Sequence, residues 1–459
     1  PRPAPPKVGH TELKQYDDPR VRKIAPSLVV VTFDLPYTLS GVADRHYYGT
    51  GLIVDKERGL VVVDRNTVPI AIGDVTVTFA GSLEVKAKVE QLHPLHNLAI
   101  VSYDPATIND TAVEAATFNP TELQPGDDVW VIGIKGDHQL VHQRSTVSSV
   151  GPLTLPLSRT LRFRDSNIEG ISLVNAPTEY DGVLVDKRGR VSATWSSFAI
   201  QSGGESTQVN RGVGADLVME FVDIVREGRP FFSLEAELMY SPLFAARNMG
   251  VDEEWLARLE ADNPLHRRAL SVTRLVAGTD ASRKLRNGDM ILAIDGKVVT
   301  SFRSLEKAVQ KPRVTVSVWR NGEAREIEIE TAVLDGRGID RAISWAGALI
   351  QDPHRPMAAQ RGIDPYGVYV AFFSYGSPAT RYGLWAGRRV IEVDETPTPD
   401  LEAFIAAVAD KQDRESVRLK TVTWNDVVEV ITLKLDKQYW PAYEIKRTED
   451  GWRRTKIGS

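Results

Sequence analysis

Apolar residues fall in short runs through the first half of the chain. Leu28-Val29-Val30-Val31-Thr32-Phe33 is followed by Tyr48-Gly49-Thr50-Gly51-Leu52-Ile53-Val54. After a turn at Glu57-Arg58-Gly59 comes Leu60-Val61-Val62-Val63. Val75-Thr76-Val77-Thr78-Phe79 alternates with the period of a half-buried strand. Leu98-Ala99-Ile100-Val101 and Val129-Trp130-Val131-Ile132-Gly133 continue the series. Many short strands with regular turns up to about Gly214 predict a barrel or sandwich. Within it, Leu173-Val174 and Val183-Leu184-Val185 flank a turn-rich centre, Pro177-Thr178-Glu179-Tyr180-Asp181-Gly182. A second turn, Asp186-Lys187-Arg188-Gly189-Arg190, leads into Val191. This reads as a loop feeding a strand, then a hairpin. Leu217, Val218, Phe221, Ile224 and Val225 then sit at helical spacing between Ala215 and Arg226.

From Pro230 the pattern changes. Residues 243–259 read as helical; strands, a turn and a helix follow to Gln310, and a similar order returns from Ile343 to Val408. Arg286-Asn287-Gly288-Asp289-Met290-Ile291-Leu292-Ala293-Ile294-Asp295 matches Leu384-Trp385-Ala386-Gly387-Arg388-Arg389-Val390-Ile391-Glu392-Val393-Asp394. Each copy leads to a helix with apolar spacing, Phe302, Leu305, Ala308 and Val309 in one and Leu401, Phe404, Ile405 and Val408 in the other. The chain therefore carries an internal repeat.

The 459 residues suit about three domains. A net charge of -5, with the two signs interspersed, offers nothing to nucleic acid or to an anionic membrane surface. No apolar run approaches the ~20 residues that span a bilayer. The absence of cysteine excludes a disulfide framework, a thiolate metal site and a cysteine nucleophile. The chain opens on Pro1 rather than Met, and Pro1-Arg2-Pro3-Ala4-Pro5-Pro6 reads as an extended linker, so a fragment or processed form is expected.

Candidate chemistry is sparse. His93 and His96 flank Pro94-Leu95, and His138 and His142 lie four apart; neither pair has an acidic partner in a metal-binding frame, so surface histidines are expected. Glu179 and Asp181 suggest an acid pair, but neighbouring loop carboxylates usually face solvent. Ser202-Gly203-Gly204-Glu205-Ser206 lacks a P-loop lysine and reads as a flexible loop. No metal and no cofactor is expected.

The stretch around Tyr180 resembles the nucleophile hairpin of trypsin-like proteases of the HtrA/Deg family, roughly P-G-N-S-G-G-P-L-V. Pro177, Gly182, Leu184 and Val185 keep their places, while Tyr180 falls where the family has its serine. The family's histidine segment, T-N-x-H-V, falls on Asp64-Arg65-Asn66-Thr67-Val68, placing Asn66 at the histidine. Its aspartate, before an L-A-(V/I)-L strand, falls on Asn97. An amide cannot take a nucleophile's proton near neutral pH, and a phenol cannot replace the activated hydroxyl. The resemblance thus implies a protease frame with a degenerate triad at Asn66, Asn97 and Tyr180, and leaves open whether the chain is an enzyme.

The repeat resembles HtrA-type PDZ domains. Asn287-Gly288-Asp289 with Ile294-Asp295-Gly296-Lys297-Val298-Val299 fits G-D-x-I-L-x-I-(N/D)-G-x-x-V, and Gly376-Ser377-Pro378-Ala379 with Gly383-Leu384 fits G-S-P-A…A-G-L. The implied fold is mainly β with α+β modules, a trypsin-like double β-barrel followed by two PDZ domains. The implied division is a linker at 1–20, a degenerate protease domain at 21–228, one PDZ domain at 229–334, and a second with a C-terminal tail at 335–459. A PDZ groove adds an extended peptide to a sheet edge. In the second copy that role falls on Ser344, Trp345, Ala346, Gly347, Ala348, Leu349 and Ile350, where the loop glycine lets N–H groups converge on a carboxylate. In the first copy it falls on Phe232, Ser233, Leu234, Glu235 and Ala236, where the Glu235 charge opposes a peptide terminus. The second copy is therefore expected to be the better binder. Residues 435–444, Leu-Asp-Lys-Gln-Tyr-Trp-Pro-Ala-Tyr-Glu, resemble the end of long duplicated HtrA-like proteins, best known as fungal nuclear proteases, whose second half is degenerate. The implied function is a regulatory, scaffolding or peptide-binding half of a quality-control protease assembly. The alternative is an active serine endopeptidase with its triad upstream. Implied partners are unfolded or C-terminal peptide segments, the protease half of the same protein and further copies of the chain, with no nucleic acid and no membrane span. Implied compartments are extracytoplasmic in a bacterium, or nuclear if the fungal likeness is direct.

Overall fold

The computed structural model describes residues 9–37, 45–155, 163, 165–202 and 205–458. Gly203 and Gly204 lie outside the described residues. The short apolar runs of the first half become twelve strands. Strands β1 (Leu28–Asp34), β2 (His46–Asp55), β3 (Leu60–Val63), β4 (Asp74–Phe79), β5 (Leu83–Leu92) and β6 (Ala99–Tyr103) close one barrel in the order β1-β2-β3-β6-β5-β4. Strands β7 (Asp128–Ile134), β8 (Leu140–Pro152), β9 (Glu169–Leu173), β10 (Gly182–Val185), β11 (Val191–Ser202) and β12 (Glu205–Gly214) close a second, β10-β11-β12-β9-β8-β7. Closure removes the open edges that exposed strands would present. The continuous apolar runs β3, β6 and β10 are buried along their whole length. Val31, Phe33, Ile53, Val77 and Val85 fill the first barrel. Val129, Val131, Leu184, Ala193 and Trp195 fill part of the second. Helix α1 (Ala215–Glu227) follows β12; its Leu217, Val218, Phe221 and Ile224 are buried, and Gly228 ends it in the left-handed conformation.

Two further units follow, and the sequence repeat is a structural one. The first runs strand Ala236–Pro242, helices Leu243–Asn248 and Glu253–Asp262, strand Arg268–Leu275, helix Asp280–Lys284, strand Met290–Ile294, helix Phe302–Ala308 and strands Arg313–Arg320 and Glu323–Glu330. The second runs strand Ala348–Gln351, helix Arg355–Arg361, strand Val368–Phe373, helix Pro378–Tyr382, strand Arg389–Val393, helix Leu401–Val408 and strands Ser416–Val422 and Val428–Lys434.

The units differ at the edge of the leading strand. In the first, Phe231–Ser233 leaves the sheet to pair with Ala332–Leu334, so Ala236–Pro242 ends the sheet. In the second, Arg341–Trp345 folds back as a hairpin onto Ala348–Gln351. The hairpin Tyr443–Thr448 and Gly451–Lys456 extends the sheet beyond it. No helix of the described residues is long and apolar enough to cross a membrane.

Candidate functional site

The positions of the protease frame lie between the two barrels. Strand β3 ends in a turn in which Asp64 Oδ1 accepts the Thr67 N–H at 2.8 Å, and this turn presents Asn66 to solvent. Asn66 Nδ2 donates to the Ser197 carbonyl at 2.6 Å. Asn97 is buried. Its Oδ1 accepts the Arg65 N–H at 2.8 Å, and its Nδ2 donates to the same Ser197 carbonyl at 3.2 Å. Two amides of the first barrel thus grip one carbonyl of β11 in the second. Tyr180 is held from the other side. Its ring packs against the second barrel's core cluster, and its carbonyl accepts from Asn210 Nδ2 at 3.3 Å. Trp195 Nε1 donates to the Pro177 carbonyl at 3.2 Å and fixes the loop that carries it. Gly133 permits this approach, because a Cβ there would lie 1.9 Å from the Asp181 carbonyl oxygen. Burial first, then the Glu179 charge, pushes the Tyr180 phenol up to about 12. Neither carboxamide offers a titratable base at neutral pH, and each is engaged in hydrogen bonds that hold the barrels together.

The acid pair is placed differently from expectation. Glu179 faces solvent and pairs with Lys135 at 2.8 Å, but Asp181 turns inward. Burial above all, then the charge of Asp64, pushes the Asp181 carboxyl up to about 8. Burial likewise raises Asp64, against hydrogen bonds from Thr67 and Ser196. Two carboxylates within each other's field in a poorly solvated place do not both ionise at neutral pH.

His93 and His96 correct the expectation of surface histidines: both are 1% exposed. The loop between β5 and β6 turns them inward, and with Glu306 they gather three ligand-type atoms within 4.8 Å. A metal does not fit this set. His93 Nδ1 accepts the N–H groups of Leu95 and His96, each at 3.1 Å, so its proton sits on Nε2. Its ring packs edge-on against Phe221 and Phe231, and burial holds it well below the usual imidazole range. His96 Nε2 pairs with Glu306 at 2.7 Å. The set is an interlock between the first barrel and the helix Phe302–Ala308. His138 and His142 are exposed.

The predicted peptide-binding residues of the second unit are not open. Ala346 and Gly347, at φ +52° and +81°, are the two central residues of the hairpin turn. Their carbonyls accept from Ala379 and Ser374, at 2.9 and 2.8 Å. Ala348, Leu349 and Ile350 pair on one side with Trp345, Ser344 and Ile343 and on the other with Val368–Phe373. Both edges are filled, which corrects the expectation of a free edge there. Leu349 also packs into the first barrel's core.

In the first unit Glu235 does not face a peptide. Its two oxygens accept from Arg355 Nε at 3.0 Å each, and Oε1 also accepts from Ser233 Oγ at 2.7 Å. Phe232 exchanges hydrogen bonds with Gln310, while Leu234 and Ala236 are buried in the unit's core.

The fold and the frame of this site define a trypsin-like double barrel carrying two repeated sheet-and-helix units. Its homologues are HtrA-like serine proteases of plants and fungi. Protease Do-like 7 of Arabidopsis thaliana is 33% identical over 97% of this chain and 45% of its own length. A PDZ domain-containing protein of Schizosaccharomyces pombe is 31% identical over 93% of this chain and 43% of its own. The chain thus spans less than half the length of these relatives. Among solved structures, a variant of the HtrA-type protease AlgW with a tripeptide aligns at TM-score 0.50 and 19% identity, over 69% of this chain and 97% of that one, a likeness of fold. No protein-family model matches the chain.

Proposed function

We propose that this chain is a catalytically degenerate HtrA-like protease unit, a regulatory and peptide-binding half of a longer protease. The observation that carries this is the pairing of Asn66 and Asn97 on one carbonyl where the family's base and its orienting acid would stand. With Tyr180 at the nucleophile position, the frame lacks an activated hydroxyl and a base to activate it. On this reading the repeated units at 229–334 and 335–459 are PDZ domains. The shared element order and the name of the fission-yeast relative, a PDZ domain-containing protein, support that assignment. Partners are then extended peptide segments, the protease half of the longer protein and other copies of the chain.

The test is incubation of this chain with unfolded casein and a fluorophosphonate probe. Neither turnover nor labelling is expected. Turnover above a blank, abolished by one substitution in this chain, overturns the reading. A second reading, an active endopeptidase with its triad in sequence outside this chain, is favoured by the span of only 45% of Protease Do-like 7. It requires probe labelling in the longer protein at a serine absent from this chain.

A further inference from the structure

Among the described residues, the strand Ala236–Pro242 ends its sheet, yet its outward groups are not left to water. Asn167, from the connection between β8 and β9, donates from Nδ2 to the Ala236 carbonyl at 2.8 Å and accepts at Oδ1 the Leu238 N–H at 2.7 Å. One side-chain amide thereby makes the two bonds that one residue of an added strand would make. The placement depends on the backbone, since Asn167 sits at φ +53°, a conformation Asn tolerates. Two residues on, Glu169 fastens the same groove, accepting from Tyr240 Oη and Arg268, each at 2.9 Å. Tyr240 in turn stacks on Phe302 of the facing helix, with centroids 4.2 Å apart. The clamp borders a cavity of about 400 Å³ also lined by Glu169, Arg268 and Phe302.

We propose that Asn167 is an intramolecular stand-in for a bound peptide, and that an extended segment binds the Ala236–Pro242 edge by displacing it. This rests on the peptide-binding reading above. The geometry also selects the peptide's chemistry. A C-terminal carboxylate needs free N–H groups in the loop ahead of the strand. There the Phe232 N–H is held by Gln310 and the Glu235 N–H by Ser233 Oγ, so neither is free to receive a carboxylate. The ligand is therefore an internal, extended segment, recognised through its backbone. Because Asn167 lies two residues before the start of β9 at Glu169, binding at this edge also acts on a connection of the second barrel.

The test uses the full chain and an alternating Val-Thr decapeptide carrying a fluorophore, with its terminus either amidated or free. Asn167→Gly removes the amide and keeps the backbone conformation. It is expected to raise affinity roughly tenfold, the worth of two modest hydrogen bonds, equally for both termini. Hydrogen exchange of the Leu238 amide is expected to speed up in the variant without peptide and to slow again with it. Asn167→Asp keeps the acceptor but sets a carboxylate against the Ala236 carbonyl, and is expected to behave like the glycine variant. If wild type and variants bind equally and Leu238 exchange is unchanged, the clamp is wrong while the peptide-binding reading stands. If no form binds, yet Leu238 exchange responds, the peptide-binding reading fails and takes the displacement with it. Tighter binding of the free terminus overturns the internal-segment assignment.

Discussion

At Tyr180 a single substitution tests the whole frame. Tyr180→Ser places a hydroxyl where the family has its nucleophile, but the amide at the base position, Asn66, donates to Ser197 and its carboxamide is not basic enough to take a proton near neutral pH. No acylation by a fluorophosphonate is expected, because such groups act as a unit and their effects are far from additive. Measurable labelling of that one variant would show the site misplaced. The carboxyls of Asp64 and Asp181 give the second residue-scale expectation, and its sign is fixed. Both are raised in the folded state, Asp181 from 3.8 to about 8, so the native state holds more protons than the unfolded one. Their stabilising protonated form is fully present below about pH 4 and is lost as pH rises toward about 8. Asp181→Asn cannot ionise. It is expected to match wild type within about 0.5 kcal/mol near pH 3.5, at or below the unfolded value of 3.8, and to exceed it by about 3–5 kcal/mol at pH 8.5 in urea unfolding. Parallel pH profiles for the two proteins would remove the pair from the account.

At the scale of elements, the strands and the repeat were legible because local patterning and burial agree. Continuous runs such as Leu60–Val63 became buried barrel strands, and the recurring Gly-bearing turn before an apolar strand recurs in the fold. The edge status of a strand was not legible. The stretch from Ser344 to Ile350 reads as a loop and strand, and nothing in its residues says that 341–345 will return along it. The turn makes a test. In Gly347→Ala the new Cβ would meet the Ser377 Cβ at 2.1 Å, on a backbone at φ +81°. Strain and overlap together are expected to cost about 2–4 kcal/mol, read as a lower unfolding midpoint. Gly296 has a similar φ, +76°, with nothing within 4 Å of an added Cβ, so Gly296→Ala should cost only about 1 kcal/mol. Equal costs at both sites would mean that backbone conformation alone matters and that the hairpin turn is not tightly seated.

At the scale of the molecule, what joins the parts is the least visible in sequence. His96 and Glu306 lie 210 positions apart, and Leu238 and Asn167 lie 71 apart. A lone histidine or asparagine carries no local signal of such a partner. Around Glu306 the joint is ionic. Arg303 reaches Asp216 Oδ2 at 2.7 Å and Glu306 at 3.3 Å, and also contacts Glu220, so one guanidinium on the first repeated unit faces carboxylates of α1 and of its own helix. Burial works to raise the carboxyls of Asp216 and Glu306. Arg303, with Lys307 for the one and His96 for the other, outweighs it, and both end below their usual values. Stability from these groups is therefore present above the unfolded carboxylate pKa and is lost as pH falls through the lower folded values. Arg303→Met keeps the aliphatic stem and removes the cation, leaving three clustered carboxylates facing a gap. The expected cost at pH 7.5 is about 3–5 kcal/mol, taken from the joint rather than from either core. Calorimetry should then show the barrels and the first unit unfolding separately where wild type unfolds them together. Acidification to pH 5 protonates the carboxylates that lost their partner, so the gap between variant and wild type should narrow. A variant that keeps one joint transition, with a deficit independent of pH, would mean that apolar contact such as Phe231 against His93 holds the parts together and the ion cluster does not.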